Sequence, residues 1–239
     1  MILEVLPERS GGAAENMAAD FMLLQRYPRE GVARYRHYGW RRPSFTFGYS
    51  QKIEFVRGQL PAGEPLDLCR RPTGGGVVDH RDDWTFALVI PRGHPLEEVR
   101  ATQSYRAVHE VLAASLRKVG VPVTLKPVAD PAGAAEPGGP AGVCFERAEI
   151  FDVIHTDTRA KIAGGAQKRN KRGLLFQGSI WKPAAGASVD WDQFADEFVA
   201  RLAGALEAAP VPTPWPDFDE SEVEGLVEQY GSPDWMEFR

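Results

Sequence analysis

The sequence predicts an α+β fold: a single domain, residues 1–239, in which mixed and antiparallel sheets pack against a few helices. Three observations carry that reading. Many short runs rich in β-branched and aromatic residues alternate with only a few amphipathic helical stretches. The two kinds interleave irregularly, not as repeated strand–helix pairs. No internal repeat is visible.

Met17, Phe21, Leu24 and Tyr27 recur at helical spacing, which predicts a helix over residues 16–27. Residues 32–38 and 44–49 read as strands, separated by Trp40-Arg41-Arg42-Pro43. Three more strands, 66–69, 77–80 and 84–90, surround a run of three glycines. Residues 99–119 place Tyr105, Val108, Leu112, Leu116 and Val119 on one helical face, and Gly120 stops the helix. A short strand over 121–126 follows. Residues 127–142 are almost wholly Ala, Gly and Pro, bury little, and are expected to form a mobile loop. Residues 149–155, 161–166 and 174–181 read as strands, with turns at 156–159 and at the basic run 168–173. Trp191, Phe194, Phe198, Leu202 and Leu206 mark a helix with Asp190 as its N-cap. After a spacer broken by Pro210, Pro212, Pro214 and Pro216, Ser221 and Glu224 form a capping-box pattern. It opens a short helix ending near Gly231-Ser232-Pro233, within a helical tail over 217–239.

Composition narrows the function. Hydrophobic content of 43% and charged content of 26% are those of a globular chain with a sizeable core. A net charge of −5 argues against a general nucleic-acid binder. No apolar run is long enough to cross a membrane, and the start shows no basic segment followed by an apolar one, so a cytoplasmic location is expected. The two cysteines, Cys69 and Cys144, lack metal or redox spacing and suit a reducing compartment. The five histidines are scattered without zinc-ligand spacing, so no metal is expected.

Three stretches could carry chemistry. In Arg70-Arg71-Pro72-Thr73-Gly74-Gly75-Gly76-Val77-Val78-Asp79-His80, Pro72 biases Arg71 towards extended backbone, and the glycines can offer N–H groups to an anion or a carbonyl oxygen. The run is neither a Walker motif nor a dinucleotide fingerprint, because no Gly-Lys-Ser/Thr follows and strands rather than a helix come next. It is a ligand-cradling loop or a flexible hairpin turn. In Lys161-Ile162-Ala163-Gly164-Gly165-Ala166-Gln167, one lysine opens a small-residue strand that leaves room for a substrate. That lysine is a point charge for a carboxylate, phosphate or thiol, or is simply solvated. Cys144 stands just before a strand, as a nucleophile if a cation such as Lys161 folds back on it, or as a buried small hydrophobe. Cys69, inside an apolar run, reads as core.

Together these stretches resemble the lipoate–protein ligase and octanoyltransferase family, a relative of the biotin ligases. Asn16-Met17-Ala18-Ala19-Asp20 resembles its opening helix, and Trp40-x-x-Pro43 with Gly48-x-x-Gln51 its next signature. Arg70 through His80 is the most specific piece. The lysine strand, Gly178-Ser179-Ile180 and the tail Tyr230-Gly231-Ser232-Pro233-Asp234-Trp235 follow in order.

The resemblance implies the biotin/lipoate ligase catalytic-domain type of fold. It also implies an eight-carbon acyl pocket, with Arg71, Gly74, Gly75, Gly76, His80, Gly164, Gly165, Ala166, Gln167, Gly178 and Ser179 as binding residues. Cys144-Phe145-Glu146 matches the cysteine context of the ligase-like octanoyltransferase branch, which implies Cys144 and Lys161 as the catalytic pair. Such an enzyme takes octanoate from acyl carrier protein, holds it as a thioester, and passes it to a lipoyl-domain or glycine-cleavage H-type protein without a cofactor. A lipoate ligase, the alternative, would use ATP and magnesium; a non-catalytic acyl-binding subunit is a third reading. Biotin ligation is disfavoured by the lack of a Gly-Arg-Gly-rich loop. A monomer is expected, with no nucleic-acid or membrane partner. Two departures stand out. Gln177 replaces a histidine common before the Gly-Ser pair, and no large C-terminal domain follows, which leans towards the transferase. The basic turn at 168–172 either steers acidic partners or is a solvated hairpin.

Overall fold

The computed structural model describes residues 1–63, 65–128 and 147–237. In chain order these form β1 (Ile2–Val5), β2 (Arg9–Gly11) and α1 (Ala13–Phe21), which runs on as a π-helical turn (Met22–Arg26). Next come β3 (Val32–Trp40), β4 (Ser44–Phe47), α2 (Ile53–Arg57), β5 (Asp67–Arg70), β6 (Val77–Asp79) and β7 (Asp83–Pro91). The middle of the chain supplies α3 (Pro95–Glu98), α4 (Ala101–Lys118), β8 (Val123–Leu125), β9 (Val153–His155), β10 (Lys161–Asn170) and β11 (Gly173–Trp181). It closes with α5 (Lys182–Ala185), α6 (Trp191–Ala205), β12 (Ala209–Pro212), α7 (Glu220–Gly231) and α8 (Pro233–Glu237).

The large sheet runs β12-β1-β3-β7-β11-β10-β9-β8, with β2 also on β3, and the small one runs β5-β4-β6. Both are mixed. β1 pairs β3 and β12 in parallel and β4 pairs β5 in parallel, whereas β3, β7, β11, β10, β9 and β8 are joined antiparallel. The α+β expectation therefore holds.

Strand periodicity divides the molecule into two layers of packing. Along β7, Trp84, Phe86, Leu88 and Ile90 turn to one face, where they meet Val108, Leu112 and Leu116 of α4 and Phe194, Phe198 and Leu202 of α6. On β11, Phe176 and Ile180 join the same core. The alternate residues go to the other face. Ala87, Val89 and Leu175 pack with Tyr38 and Leu24 there, and the small sheet and α1 cover what remains. Because one face is filled by aromatic and branched side chains, the residues left for the second face include Thr85, Gln177 and Ser179. That alternation is what delivers polar groups to a cavity.

Several boundaries differ from expectation for identifiable reasons. The basic run is not a six-residue turn: β10 continues to Asn170, which pairs with Gly173, leaving Lys171 and Arg172 as the turn. Helix α7 is capped by Asp219, whose carboxylate accepts from Glu222 N at 3.0 Å and from Ser221 Oγ at 2.6 Å, so Ser221 is inside the helix and not its cap. The proline spacer contains β12, an edge strand, where missing N–H groups are tolerated. Asp190 caps α6 as expected, accepting from Gln193 N at 3.0 Å. Apart from Pro127 and Val128, the loop expected over 127–142 lies outside the described residues, as do Cys144, Phe145 and Glu146.

Candidate functional site

A cavity lies between the large sheet and the glycine-rich roof. It is lined by backbone and side chains of β10 (Gly164–Ala166), β11 (Gln177–Ser179), Thr85 of β7, and Tyr38 and Trp40 of β3. Its lining draws on four neighbouring strands, which together cover three interstrand spacings, about 14 Å. Met17 of α1 lies among the lining, as do Thr46, Arg71, Gly75, Val78 and His80 from the roof, and Lys161.

The roof is braced from within. Arg71 donates to the carbonyls of Gly74 at 2.9 Å and Gly76 at 3.0 Å, and to Thr46 Oγ1 at 2.8 Å. Gly74 and Gly76 thus present carbonyls to Arg71, and of the three glycines only Gly75 lines the cavity. Arg70 is fully buried and turns the other way. It binds the carbonyls of Tyr49, Gln51, Trp235 and Met236 at 2.6–3.0 Å. The first arginine of the motif therefore ties the loop's base to the C-terminal segment.

Gly48 passes so close beneath the loop that a Cβ built on it would sit 1.9 Å from Gly75 O. Both atoms belong to the backbone, so neither can step aside. Gly48→Ala is expected to cost about 3 kcal/mol of stability, read as a lowered urea midpoint. A shift within the error of the wild-type midpoint would show that the roof is free to lift.

His80 is held on three sides. Its Nδ1 faces Asp83 Oδ2 at 2.6 Å, its Nε2 faces Thr46 Oγ1 at 2.7 Å, and its ring stacks on Trp40 with centroids 4.1 Å apart. Asp83 also accepts from Thr85 Oγ1 at 2.6 Å and from Ser179 Oγ. Burial alone would push the Asp83 carboxyl up. Attraction to the His80 ring and the hydrogen bonds from His80, Ser179 and Thr85 outweigh it and hold Asp83 below the usual carboxylate range.

Lys161 is buried at the opposite edge. Its ammonium pairs with Asp152 Oδ2 at 2.7 Å and reaches Arg147 O at 3.4 Å. Its side chain folds across Gly164: a Cβ there would lie 2.7 Å from Lys161 Cε, so the small residue is what lets the charge reach the cavity. Asp152 also accepts from Glu149 N at 2.7 Å and from the Tyr105 hydroxyl, which in turn accepts from Gly165 N at 3.1 Å. Asp152 follows Phe151, a bulky residue in the left-handed region (φ 69°), held there by Phe151 N donating to Lys126 O at 2.9 Å.

His109 backs this cluster, its Nδ1 donating to Phe151 O at 2.9 Å. Burial pushes its imidazole down to about 4. Between about pH 6.5 and 4 the unfolded chain therefore takes up this proton before the folded one does, and stability falls as pH falls through that window. The loss is about 2–4 kcal/mol. His109→Gln is expected to flatten that part of the urea-midpoint profile between pH 7 and 4; an unchanged slope would exclude His109 as its source.

Of the residues singled out in the sequence, Arg71, Gly75, His80, Lys161, Gly164, Gly165, Ala166, Gly178 and Ser179 converge on this cavity. Gln167 does not. One residue beyond Ala166 the period of two turns it to the other face, where it binds Ala101 O at 2.8 Å and Ser104 Oγ at 2.7 Å. Gln177 does line the cavity. It accepts from Thr73 Oγ1 at 2.7 Å and donates to Asp20 Oδ2 at 2.6 Å, joining the roof to α1. Asp152, Tyr105, Asp83 and Thr46 were not picked out by sequence reasoning. The one signal for Asp152 is an acid set inside the apolar run Ile150-Phe151-Asp152-Val153-Ile154. Cys69 is buried, as expected, and burial pushes its thiol well up. Among the described residues, no group of three or more His, Cys, Asp or Glu is placed to hold a metal ion, and no helix is long and apolar enough to cross a membrane.

Comparison with known proteins adds three findings. The family model described as lipoyl protein ligase A/B catalytic domain matches residues 12–184. The chain is 28% identical to the octanoyltransferase LipM of Symbiobacterium thermophilum, over 92% of this chain and 93% of that protein. It is 31% identical to the LipM of Geobacillus kaustophilus over 70% of this chain, and spans 60% of that relative's length. Among solved structures, lipoate-protein ligase A bound with ATP superposes with a TM-score of 0.75 over 99% of this chain and 98% of that one, at 18% identity. A bipartite lipoate protein ligase from Thermoplasma acidophilum, studied with its E2 lipoyl domain, gives a TM-score of 0.73 over 100% and 98%, again at 18% identity. At that identity the likeness concerns the fold.

Proposed function

Because the chain belongs to the lipoyl protein ligase A/B catalytic-domain family, we propose that it is an octanoyltransferase of protein lipoylation. It takes octanoate from acyl carrier protein, carries it as a thioester on Cys144, and delivers it to a lysine of a lipoyl-domain or H-type protein. The observation that carries this reading is the cavity running across four strands to the buried Lys161–Asp152 pair. The lining extends over about 14 Å, against roughly 9 Å for an extended eight-carbon chain. The kinship with LipM over most of the chain supports the same choice.

In this mechanism the thiolate of Cys144 attacks the donor thioester. A new S–C bond forms, the donor's own S–C bond breaks, and the departing sulfur takes a proton from the Lys161 ammonium. The acceptor lysine's neutral amine then attacks the enzyme thioester, an amide bond forms, and Cys144 is released. The ammonium of Lys161 favours the Cys144 thiolate; having given a proton to the departing donor sulfur, the neutral amine of Lys161 takes up the proton lost by the acceptor lysine and so restores the ammonium–thiolate pair. Because each half-reaction exchanges one activated acyl bond for another or for an amide, neither requires ATP or a metal.

Incubation with octanoyl-acyl carrier protein without ATP, followed by intact mass measurement, tests the proposal. A covalent octanoyl adduct is expected in the wild type and in Cys69→Ala, and is expected to vanish in Cys144→Ala. Modification of the acceptor that requires ATP and free lipoate, with no adduct, would make the protein a ligase. Absence of both reactions would make it an acyl-binding subunit, for which Gln177 in the place of a histidine is the supporting residue.

A further inference from the structure

The hairpin that ends β10 and begins β11 has no part in the chemistry above, yet it concentrates positive charge. Lys168, Lys171 and Arg172 lie on it, and Arg92 is brought beside it by the bond from Arg92 N to Arg172 O at 3.2 Å. Among the described residues no carboxylate lies within ion-pair distance of any of these four, although Arg29, Arg34, Arg36, Arg41, Arg57 and Arg81 are all paired. The chain as a whole carries −5, so this cluster is set against the prevailing charge. It is also continuous with the cavity. Gly164 and Ala166 line the cavity, and Lys168 is the next residue on that face, its ammonium 5.2 Å from the ring centre of Tyr49 at the edge of the roof.

We propose that this hairpin is the docking surface for an acidic carrier protein that presents its acyl thioester on a long flexible arm. The inference rests on the transferase reading and names the face of the enzyme that the donor uses. Charge complementarity selects an acidic partner. Distance selects the donor over the acceptor. From Gly164, over which Lys161 reaches, to Lys171 is seven residues of strand, about 23 Å. An acceptor lysine extends only about 6 Å from its own backbone, so the acceptor must sit over the cavity mouth. A donor whose acyl group hangs on an arm can hold the enzyme at the hairpin and still fill the cavity.

The triple variant Arg92→Glu/Lys171→Glu/Arg172→Glu changes only exposed side chains, so its thermal midpoint should match the wild type. Its affinity for octanoyl-acyl carrier protein, measured by fluorescence anisotropy, is expected to fall about tenfold or more at low salt, and the gap is expected to narrow as salt rises. Transfer from octanoyl-pantetheine, which has no carrier protein, is expected to be unchanged. Unaltered carrier affinity would overturn the proposal. So would a loss that appears instead in affinity for the lipoyl-domain acceptor. If the wild type transferred octanoate from neither donor, the transferase reading would fall, while the carrier-binding comparison would still decide the docking surface.

Discussion

Replacing Lys161 with alanine is expected to slow octanoyl transfer by about two to four orders of magnitude while the protein stays folded. The expected survival of the fold follows from Asp152. With the ammonium gone, its carboxylate keeps the Glu149 amide and the Tyr105 hydroxyl, so the buried acid still has hydrogen-bond donors. The chemical loss follows from the charge. A thiolate beside Lys161 would be stabilised directly, whereas in the alanine variant the nearest ionised group is the carboxylate that Lys161 had neutralised. The pH profile of Cys144 alkylation should accordingly move to higher pH in the variant. An unmoved profile, even with slow transfer, would show that Lys161 acts on the acyl group or the amine and not on the thiol.

Removing the Asp20 carboxylate is expected to have the largest effect on stability. Asp20 Oδ1 meets Arg36 Nε at 2.7 Å, and the two side chains are 0% and 2% exposed. In Asp20→Ala the guanidinium is left buried with the backbone carbonyl and side chain of Asn16, and Gln177 Nε2 loses its charged acceptor. Breaking one side of such a pair costs about 3–5 kcal/mol, a large part of the stability of an ordinary domain. The urea midpoint measures it. A loss below about 1 kcal/mol would mean that water or Asn16 replaces the carboxylate easily. Because Gln177 also holds Thr73, the same change should loosen the roof, and acyl-adduct formation should fall more than the folded fraction does.

The strands and the long helices were legible because their signal is local. Trp84, Phe86, Leu88 and Ile90 alternate, and Val108, Leu112 and Leu116 recur at helical spacing, whatever they pack against. The glycine run and Lys161 were legible for a related reason: such residues are rarely placed together without a need for close approach. Asp152, Tyr105 and Asp83 were not. Tyr105 reads as one more apolar position on α4, and Asp83 falls unmarked between two strands, until the sheet brings Gly165 and Ser179 to them. Gln167 shows the reverse error. Its place in a motif suggested the cavity, but parity along the strand sends it to α4. Sequence adjacency and spatial adjacency part company there, and only the register decides.

Arg70 joins five residues at the end of the described chain to the base of the glycine roof, since the carbonyls of Trp235 and Met236 share one guanidinium with those of Tyr49 and Gln51. Trp235 returns a bond from its indole to Arg70 O at 2.9 Å. The roof and α8 are thereby thermodynamically linked although α8 does not line the cavity. A ligand that binds better when the roof is seated holds the tail in place by the same free energy with which the tail favours the ligand. Replacing Trp235 would therefore be felt as a change in acyl affinity, and filling the cavity would be felt as slower amide hydrogen exchange in α8.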